Sequence, residues 1–389
     1  MRKREYTKVS FDKRVFVWFN ILQYSHYFRD DKTVRGVCVM NPVFSQDLDT
    51  IIDSDIRWEK LRGKSVLVTG ASGMIGTYAV GTLLRLNDAK AFGIKVIAVV
   101  RNEKKLPEEF RRREDFTVVL HDVTQPFSIE APVDYIIHAA SPASPLIMKD
   151  QPVETVAANT LGTFYTLMLA KEKGAQGYLY ISSREIYGQP ASDQEFFYED
   201  TYGFVDPLNP RSCYPEGKKA AETMCVSFRA EYGVNAKIAR LAHTYGPFMS
   251  IYDGRVQADF LRNVLNKENI VLKSEGTAVR TYTYISDAMD GLFRTLLNAE
   301  DVVCNIGDEN GKVSIRELAE LLVKIHPEDK LELVFDIPEG GTKGTAPFTA
   351  GILNSGRLRA LGWQPRYTVA QGFERTLHFL EIEKSEGRI

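Results

Sequence analysis

The chain has 389 residues, 44% of them apolar and 26% charged, so it has the composition of a folded globular protein. Its length allows two or three domains of roughly 100–200 residues each. The 49 Lys and Arg residues nearly balance the 51 Asp and Glu residues, and the net charge of −2 excludes the strong basic field typical of proteins that bind nucleic acid or anionic membrane.

The cysteines and the apolar runs further restrict the class of protein to which the chain can belong. The four cysteines are widely separated, at Cys38, Cys213, Cys225 and Cys304. They are too few for a disulfide framework and have no metal-binding spacing, which predicts a cytoplasmic protein without a bound metal. The most apolar N-terminal run, 15–28, is too short and too polar to span a membrane.

Residues 1–39 differ from the rest of the chain, with nine Lys or Arg and no clear apolar period. They are interpreted as an extension, a docking arm, or residues that precede a true start at Met40. A helical pattern follows over Gln46 to Lys60. Together, residues 1–60 are predicted to be an N-terminal extension and lead-in helix.

From Lys64 onward, short β-branched runs alternate with helical patterns. Strands are predicted at Ser65–Thr69, Ile94–Val100, Phe116–Leu120, Tyr135–His138, Gly177–Ser182 and Ala236–Leu241. Helices are predicted at Ile75–Leu86, Val153–Lys171 and Tyr214–Tyr232. This alternation predicts a Rossmann-type, doubly wound parallel α/β sheet over residues 61–250.

The rhythm changes after Gly246, which predicts a smaller mixed α/β substrate lobe over residues 251–389. Within it, residues 279–305 are predicted to return to the first domain. Asp287 is expected to cap a helix, and Ser314 with Glu317 has the spacing of a capping box. The predicted elements are strands at Arg280–Ile285 and Leu331–Phe335, and helices at Val256–Leu265, Ser314–Ile325 and Val369–Glu383.

A glycine-rich turn follows the first predicted strand and opens the first helix of the alternating region. In this context Gly70 permits the tight turn, Gly73 lets the backbone approach a pyrophosphate, and Gly76 allows close helix packing. The amides at the helix N-terminus favour phosphate. A dinucleotide is therefore predicted to contact the residues of this turn: Gly70, Ser72, Gly73, Met74, Ile75 and Gly76.

The end of the second strand bears on which dinucleotide binds. A carboxylate there would favour NAD, whereas an arginine accommodates the 2′-phosphate of NADP. Arg101 follows the strand, with no carboxylate before Glu103. NAD and NADP both remain open as the cofactor. Asp122, after the third strand, is expected either beside the adenine or as a turn cap.

Tyr214 and Lys218 have YxxxK spacing at the start of a helix, so they share one face. A nearby ammonium is expected to lower the pKa of the phenol, which could then act as a general base while hydride moves to nicotinamide. Ser183 and Glu185 end the fifth strand, where the sheet edge should meet the tyrosine. Ser183 is expected to orient the reacting hydroxyl, and Glu185 to act as acid, base or water-holder.

These motifs resemble the extended short-chain dehydrogenases/reductases that modify nucleotide sugars, the NAD-dependent epimerase/dehydratase family. Within that group, the chain is most similar to the UDP-glucuronate decarboxylases, over about Lys64 to Phe379. The matching segments are Thr69–Gly76, His138–Pro145, Pro152–Thr155, Asn159–Thr163, Glu185–Gly188, Asn209–Lys218, Asp253–Val256 and Leu361–Trp363.

The resemblance implies that Tyr214 deprotonates the sugar C4 hydroxyl while hydride passes to the cofactor. The resulting β-keto acid loses carbon dioxide, and the reduced cofactor returns hydride to C4. The resemblance adds these cofactor contacts: Val123, Ala139, Ala140, Ser141 and Asn159. It also adds Pro142, Arg255 and Arg280 as substrate contacts. Arg184 and His243 are expected to contact the substrate too, because they occupy positions where the family binds it.

Three positions depart from the family pattern. Arg184 replaces the serine of decarboxylases and the aspartate of 4,6-dehydratases, which argues against water elimination and leaves decarboxylation dependent on the guanidinium binding the carboxylate. His243 and Phe248 stand where the family has Asn and Arg near the diphosphate. These changes leave the tyrosine–lysine pair intact, which suggests retained redox chemistry on an altered substrate.

Three functional hypotheses follow. The first is C4 oxidation of a nucleotide sugar with decarboxylation, as for UDP-glucuronate. The second is an NADPH-dependent reductase or dehydrogenase, or an epimerase, acting on another nucleotide-linked sugar or polyol. The third is a non-catalytic dinucleotide sensor, against which Glu185, Tyr214 and Lys218 argue. The resemblance also implies a homodimer built on helices Val153–Lys171 and Tyr214–Tyr232.

Overall fold

The computed structural model describes residues 40–126, 128–189, 194–338 and 351–389. The strands in chain order are β1 (Ser65–Thr69), β2 (Lys95–Val100), β3 (Phe116–Leu120), β4 (Tyr135–His138), β5 (Gly177–Ser183), β6 (Phe196–Phe197), β7 (Ala236–Leu241), β8 (His243–Tyr245), β9 (Ile270–Leu272), β10 (Val279–Tyr284), β11 (Val303–Ile306), β12 (Lys312–Ser314), β13 (Leu333–Phe335) and β14 (Ile352–Leu353).

The α-helices in chain order are α1 (Pro42–Ile52), α2 (Met74–Lys90), α3 (Glu108–Arg111), α4 (Pro145–Asp150), α5 (Pro152–Lys173), α6 (Cys213–Tyr232), α7 (Val256–Leu265), α8 (Ile285–Leu297), α9 (Ile315–Leu322), α10 (Gly356–Arg359) and α11 (Val369–Ser385). Short 3-10 turns lie at Trp58–Leu61, Glu103–Lys105, Arg184–Tyr187, Pro210–Ser212 and Pro327–Asp329. Within the described ranges, no helix is long and apolar enough to cross a membrane.

Seven parallel strands form the main sheet, in the order β11-β7-β5-β4-β1-β2-β3. This order contains the doubly wound arrangement in which ligands bind outside the carboxyl ends of the strands, where the strand order reverses. The predicted parallel α/β sheet is confirmed. Smaller sheets join β12-β10-β8, β13-β9 and β14-β6.

Side chains that alternate along the strands build a core on each face of the main sheet. In β1, Val66 and Val68 belong to the core that includes α1, α2 and α8. Leu67 belongs to a second core, which includes residues of α5 and α6. Both cores are buried, so the β-branched runs in the sequence correspond to strands covered on both faces.

The structure corrects two expectations about helix ends. The first helix is Pro42–Ile52 rather than Gln46–Lys60, because the Asn41 side chain accepts a hydrogen bond from Val43 N and starts it early. Asp287 caps no helix: it lies inside α8, and its carboxylate accepts hydrogen bonds from the backbone amides of Arg366 and Tyr367. The capping box of Ser314 and Glu317 is confirmed at α9.

Residues 40–389 form one compact unit. Within it, α8 packs against β5, β7 and β11 of the main sheet. The boundary predicted near residue 250 stays a prediction. The predicted arm at 1–39 lies outside the described residues.

Candidate active site

A cleft of about 420 Å³ opens at the carboxyl edge of the main sheet. The turn after β1 and the ends of β4, β5 and β7 contribute to its lining. The predicted site residues that line it are Gly70, Ser72, Gly73, Met74, Ile75, Gly76, Ala139, Ser141, Ser183, Arg184, Glu185, Tyr214, Lys218, His243 and Arg255. Candidate cofactor, catalytic and substrate residues from distant segments are thus brought together.

The glycine turn has the shape that a bound pyrophosphate requires. Gly70 has a φ of +64°, and a Cβ there would lie 2.8 Å from the Cα of Ala140. A Cβ on Gly76 would lie 2.2 Å from the Gly70 carbonyl oxygen. Gly73 is different, since its Cβ would meet only the Gly70 carbonyl oxygen, at 3.4 Å. Because Gly73 is the N-cap of α2 with no side chain over it, the turn fits a dinucleotide phosphate.

Tyr214 and Lys218 lie one turn apart on α6, both buried. The Lys218 ammonium donates to the Ile181 carbonyl at 2.6 Å and lies 5.5 Å from the centre of the Tyr214 ring. Burial lowers the pKa of Lys218 to about 7. Burial also raises the pKa of Tyr214 to about 12, with a further rise from the Glu185 charge, while a hydrogen bond with Ser183 opposes the rise. The expected lowering of the tyrosine pKa is therefore not found, because desolvation dominates.

Ser183 is the N-cap of the 3-10 turn Arg184–Tyr187 at the end of β5, and Glu185 lies within that turn. The Ser183 hydroxyl accepts a hydrogen bond from the Glu185 amide at 3.2 Å. Arg211 Nη2 donates hydrogen bonds to both oxygens of the Glu185 carboxylate, at 3.0 and 2.9 Å. Arg211 thus holds the Glu185 carboxylate near the tyrosine, where its charge acts on Tyr214. Arg211 was not among the predicted site residues, although it lies in the specific segment before Tyr214.

Arg184 is half-buried in the cleft and donates from Nη1 to Nε2 of His243 at 3.3 Å. Its buried Nε has no hydrogen-bond partner, and no carboxylate pairs with this guanidinium among the described residues. Burial and the Arg184 charge lower the pKa of His243 well below its usual range, so the ring is neutral. Burial lowers the pKa of Arg184, the Glu185 charge opposes this shift, and the Arg280 charge adds to it. The Arg280 charge also lowers the pKa of His243. This end of the cleft therefore favours an anion.

Arg255 connects the segment before α7 to the loop after β4. Its guanidinium contacts Asp253 at 2.6 Å and the Ala143 carbonyl at 2.5 Å. The Ser144 hydroxyl also donates to the Asp253 carbonyl at 2.9 Å. Part of the donor capacity predicted for a nucleotide diphosphate is thus used to hold the loop after β4.

Seven predicted contacts do not line the cleft: Arg101, Asp122, Val123, Ala140, Pro142, Asn159 and Arg280. Asn159 is buried and accepts a hydrogen bond from Ser141 at 2.9 Å, so it supports a residue that does line the cleft. Asp122 makes the turn cap that was the alternative to adenine contact, since its Oδ1 accepts from the amide and the hydroxyl of Thr124. Roles for these seven stay predictions.

The sequence motifs did not single out Gln257, a buried residue that lines the cleft with an unpartnered amide nitrogen. It lies in the first turn of α7, and no chemical pattern marks it. Phe248 also lines the cleft, with a φ of +64°. Its ring packs against Phe44 and Phe379, each with a centroid distance of 4.8 Å. Phe248, one of the three residues that depart from the family pattern, thus belongs to a hydrophobic cluster.

Comparison with known proteins agrees with this geometry. The model of the NAD dependent epimerase/dehydratase family matches residues 66–307. UDP-glucuronic acid decarboxylase 5 of Arabidopsis thaliana is 34% identical over 308 residues, covering 79% of this chain and 86% of that protein. UDP-glucuronic acid decarboxylase 1 of Xenopus tropicalis is 32% identical over 333 residues, covering 82% and 73%.

Solved structures share the fold at lower identity. UDP-glucose 4-epimerase of Thermotoga maritima superposes with a TM-score of 0.68 at 23% identity, covering 83% of this chain and 99% of that one. The dTDP-glucose 4,6-dehydratase of Bacillus anthracis, solved in complex with NAD, gives 0.66 at 19% identity, covering 83% and 98%.

Proposed function

The chain belongs to the NAD dependent epimerase/dehydratase family, and on that basis we propose that it oxidises C4 of UDP-glucuronate and releases the sugar carboxylate as carbon dioxide. The observation that carries this proposal is the unpaired Arg184 guanidinium beside Ser183, Glu185 and Tyr214. The carboxylate whose charge acts on Arg184 is that of Glu185, which is bonded to Arg211, so a substrate carboxylate would supply the missing partner of the Arg184 Nε.

The side chains of the cleft divide the work. Ser183 and Tyr214 hold the C4 hydroxyl, and Tyr214 accepts its proton in the phenolate form, which must be stabilised against the burial that raises its pKa. Lys218, when protonated, stabilises the phenolate of Tyr214. The glycine turn at Gly70, Gly73 and Gly76 would hold the nicotinamide dinucleotide, which would supply a reversible hydride acceptor for C4. Glu185, bonded to Arg211, moves a proton at the carbon that loses the carboxylate.

An acidic and a neutral sugar nucleotide test this proposal together. Purified enzyme should convert UDP-glucuronate, but not UDP-glucose, to a pentose product with release of carbon dioxide, followed by mass spectrometry and proton NMR. Arg184→Ser should raise KM for UDP-glucuronate by about 10–100-fold, the size of a lost charged hydrogen bond. Its affinity for UDP-glucose, measured by calorimetry, should change little. An intact UDP-glucuronate pool beside an active control decarboxylase would refute the proposal.

The same cation favours a second candidate function, C4 epimerisation with the carboxylate retained. An arginine bound to the carboxylate stabilises the ionised ground state more than the transition state for carbon dioxide loss, and so slows that loss. UDP-galacturonate as the product, without carbon dioxide, would identify this outcome. Arg184→Ser should then shift the products toward the pentose.

We also propose a homodimer formed by α5 and α6, and a cytoplasmic location. Exposed apolar side chains on these helices support the dimer: Val153, Leu161, Phe164, Met168 and Val226. The location rests on the small number and wide spacing of the cysteines.

A further inference from the structure

The end of β2 lies directly beside the glycine turn. β2 pairs with β1 in parallel register, with Thr69 opposite Val99, and the Gly70 amide donates to the Val99 carbonyl at 3.1 Å. Arg101 therefore lies two residues after Val99, the residue of β2 that is hydrogen-bonded to the glycine turn. In this fold, the adenosine ribose of a dinucleotide binds between that turn and the end of the second strand.

The carboxylate that would bind both ribose hydroxyls of NAD is missing here. Position 101 is an arginine, and the Asn102 side chain accepts from the Lys104 amide at 3.0 Å, which starts the 3-10 turn. Glu103 lies within that turn. Asp122, at the end of the next strand, is bonded to Thr124 through Oδ1 at 2.9 Å from both donors. No side chain at the end of β2 is thus placed as the acceptor that favours NAD.

Arg101 itself is exposed and forms no hydrogen bond or ion pair with any described residue. Hydrogen bonds from Thr124, and to a smaller degree the Arg101 charge, lower the pKa of Asp122. Arg101 therefore lies close to Asp122, but its guanidinium remains available. Lys104 and Lys105 follow on the same exposed turn and add positive charge.

We propose that Arg101 forms a subsite for the 2′-phosphate of NADP, so that this chain prefers NADP to NAD. A guanidinium binds a phosphate through two parallel N–H donors, and its planar fork distinguishes a phosphate from a hydroxyl. The subsite deepens the proposed function by naming its cofactor. It depends on the dinucleotide site and not on the identity of the sugar.

Calorimetry on cofactor-free protein without any sugar tests the subsite directly. Wild-type protein should bind NADP⁺ at least about 10-fold more tightly than NAD⁺. The same preference should hold for 2′,5′-ADP over AMP, which differ only in the 2′-phosphate. Arg101→Asp should abolish both preferences and strengthen NAD⁺ binding, because it restores a ribose acceptor.

Lys95→Asp is the matched control, because it makes the same charge change at the other, exposed end of β2. It should keep the preference for NADP⁺, and all three proteins should unfold at similar temperatures. Equal or tighter binding of NAD⁺ by the wild type would overturn the proposal. So would an equal loss of preference in Arg101→Asp and Lys95→Asp. Neither result bears on which sugar is turned over.

Discussion

Gly70 and Gly73 stand three residues apart in one turn but are glycines for different reasons. Gly70 has a left-handed backbone and a close neighbour in Ala140. Gly73 has an extended backbone and space for a Cβ within the protein. The first glycine therefore serves the fold, whereas the second leaves room for a ligand.

Alanine substitutions should separate these two roles. Gly70→Ala should lower the free energy of unfolding by about 1–3 kcal/mol through backbone strain and the clash with Ala140. Gly73→Ala should change it by less than about 0.5 kcal/mol, while weakening dinucleotide binding at least about 10-fold. Urea denaturation and calorimetry measure the two effects. Unchanged dinucleotide affinity in Gly73→Ala would place the phosphates elsewhere.

Lys218 makes stability depend on pH. Its folded pKa is about 7, against about 10.4 in an unfolded chain. Between these values the unfolded chain binds more protons, so this residue makes the free energy of unfolding rise with pH.

Lys218→Met should remove that slope. The variant should be about 1–3 kcal/mol more stable than wild type near pH 7, after allowing for the lost bond to the Ile181 carbonyl, and the gap should close as the pH approaches 10. Urea titrations across this range measure it, with Lys219→Met as the control on the next residue. Parallel profiles for wild type and Lys218→Met would show that Lys218 does not titrate in this range.

Behind the cleft, a polar network joins β5, α6 and β7. Glu222 accepts from the Ser182 hydroxyl at 2.5 Å and from Arg240 at 2.6 Å. Arg240 also donates to the Tyr187 hydroxyl at 2.8 Å. Glu222 and Arg240 are almost buried, so the ion pair stabilises the end of β5, where Ser183 caps the 3-10 turn of the candidate site.

Glu222→Gln should therefore destabilise the protein strongly. It leaves the Arg240 charge buried without a counter-ion, at a cost of about 3 kcal/mol. Glu320→Gln is the control, because its partner Arg316 forms a surface pair within one helix and its loss should cost less than about 0.5 kcal/mol. Denaturant midpoints measure both variants, and equal losses would show that the network is not a buried unit.

The assembly expected for the whole molecule depends on α5 and α6. These helices pack against each other on one face of the main sheet. Leu161, Phe164 and Met168 follow at helical spacing along α5, each at least 40% exposed, and Val226 of α6 is 50% exposed. An apolar stripe of this kind is typical of a helix face that packs against another chain.

Phe164→Glu should therefore convert a dimer to a monomer. A charge in the centre of an apolar interface loses its hydration without gaining a partner. Light scattering coupled to size exclusion measures the mass. Tyr202→Glu, on a loop and 90% exposed, is the control and should leave the dimer intact. A wild-type monomer at micromolar concentration would contradict the proposed assembly.

The main sheet and much of the cleft could be predicted from the amino-acid sequence alone. Local patterns sufficed there: β-branched runs marked strands buried on both faces, and the glycine turn and YxxxK spacing act over a few residues. Those segments meet because the carboxyl ends of parallel strands share one edge of the sheet. The bounds of β1, β3, β4 and β7 are those predicted.

Interactions between groups far apart in the chain could not be predicted and are seen only in the folded protein. Arg211 donates a hydrogen bond to Glu185, which lies 26 residues earlier in the chain, and Arg184 is hydrogen-bonded to His243, which lies 59 residues later. Burial, which no local pattern reports, raises the pKa of Tyr214 where the nearby ammonium alone predicted a fall. The sequence predicts a helix cap at Asp287, because the hydrogen-bond partners of its carboxylate, 79 and 80 residues away, cannot be identified from a local pattern. Electrostatics and hydrogen bonding depend on distance in space, and packing brings these groups together.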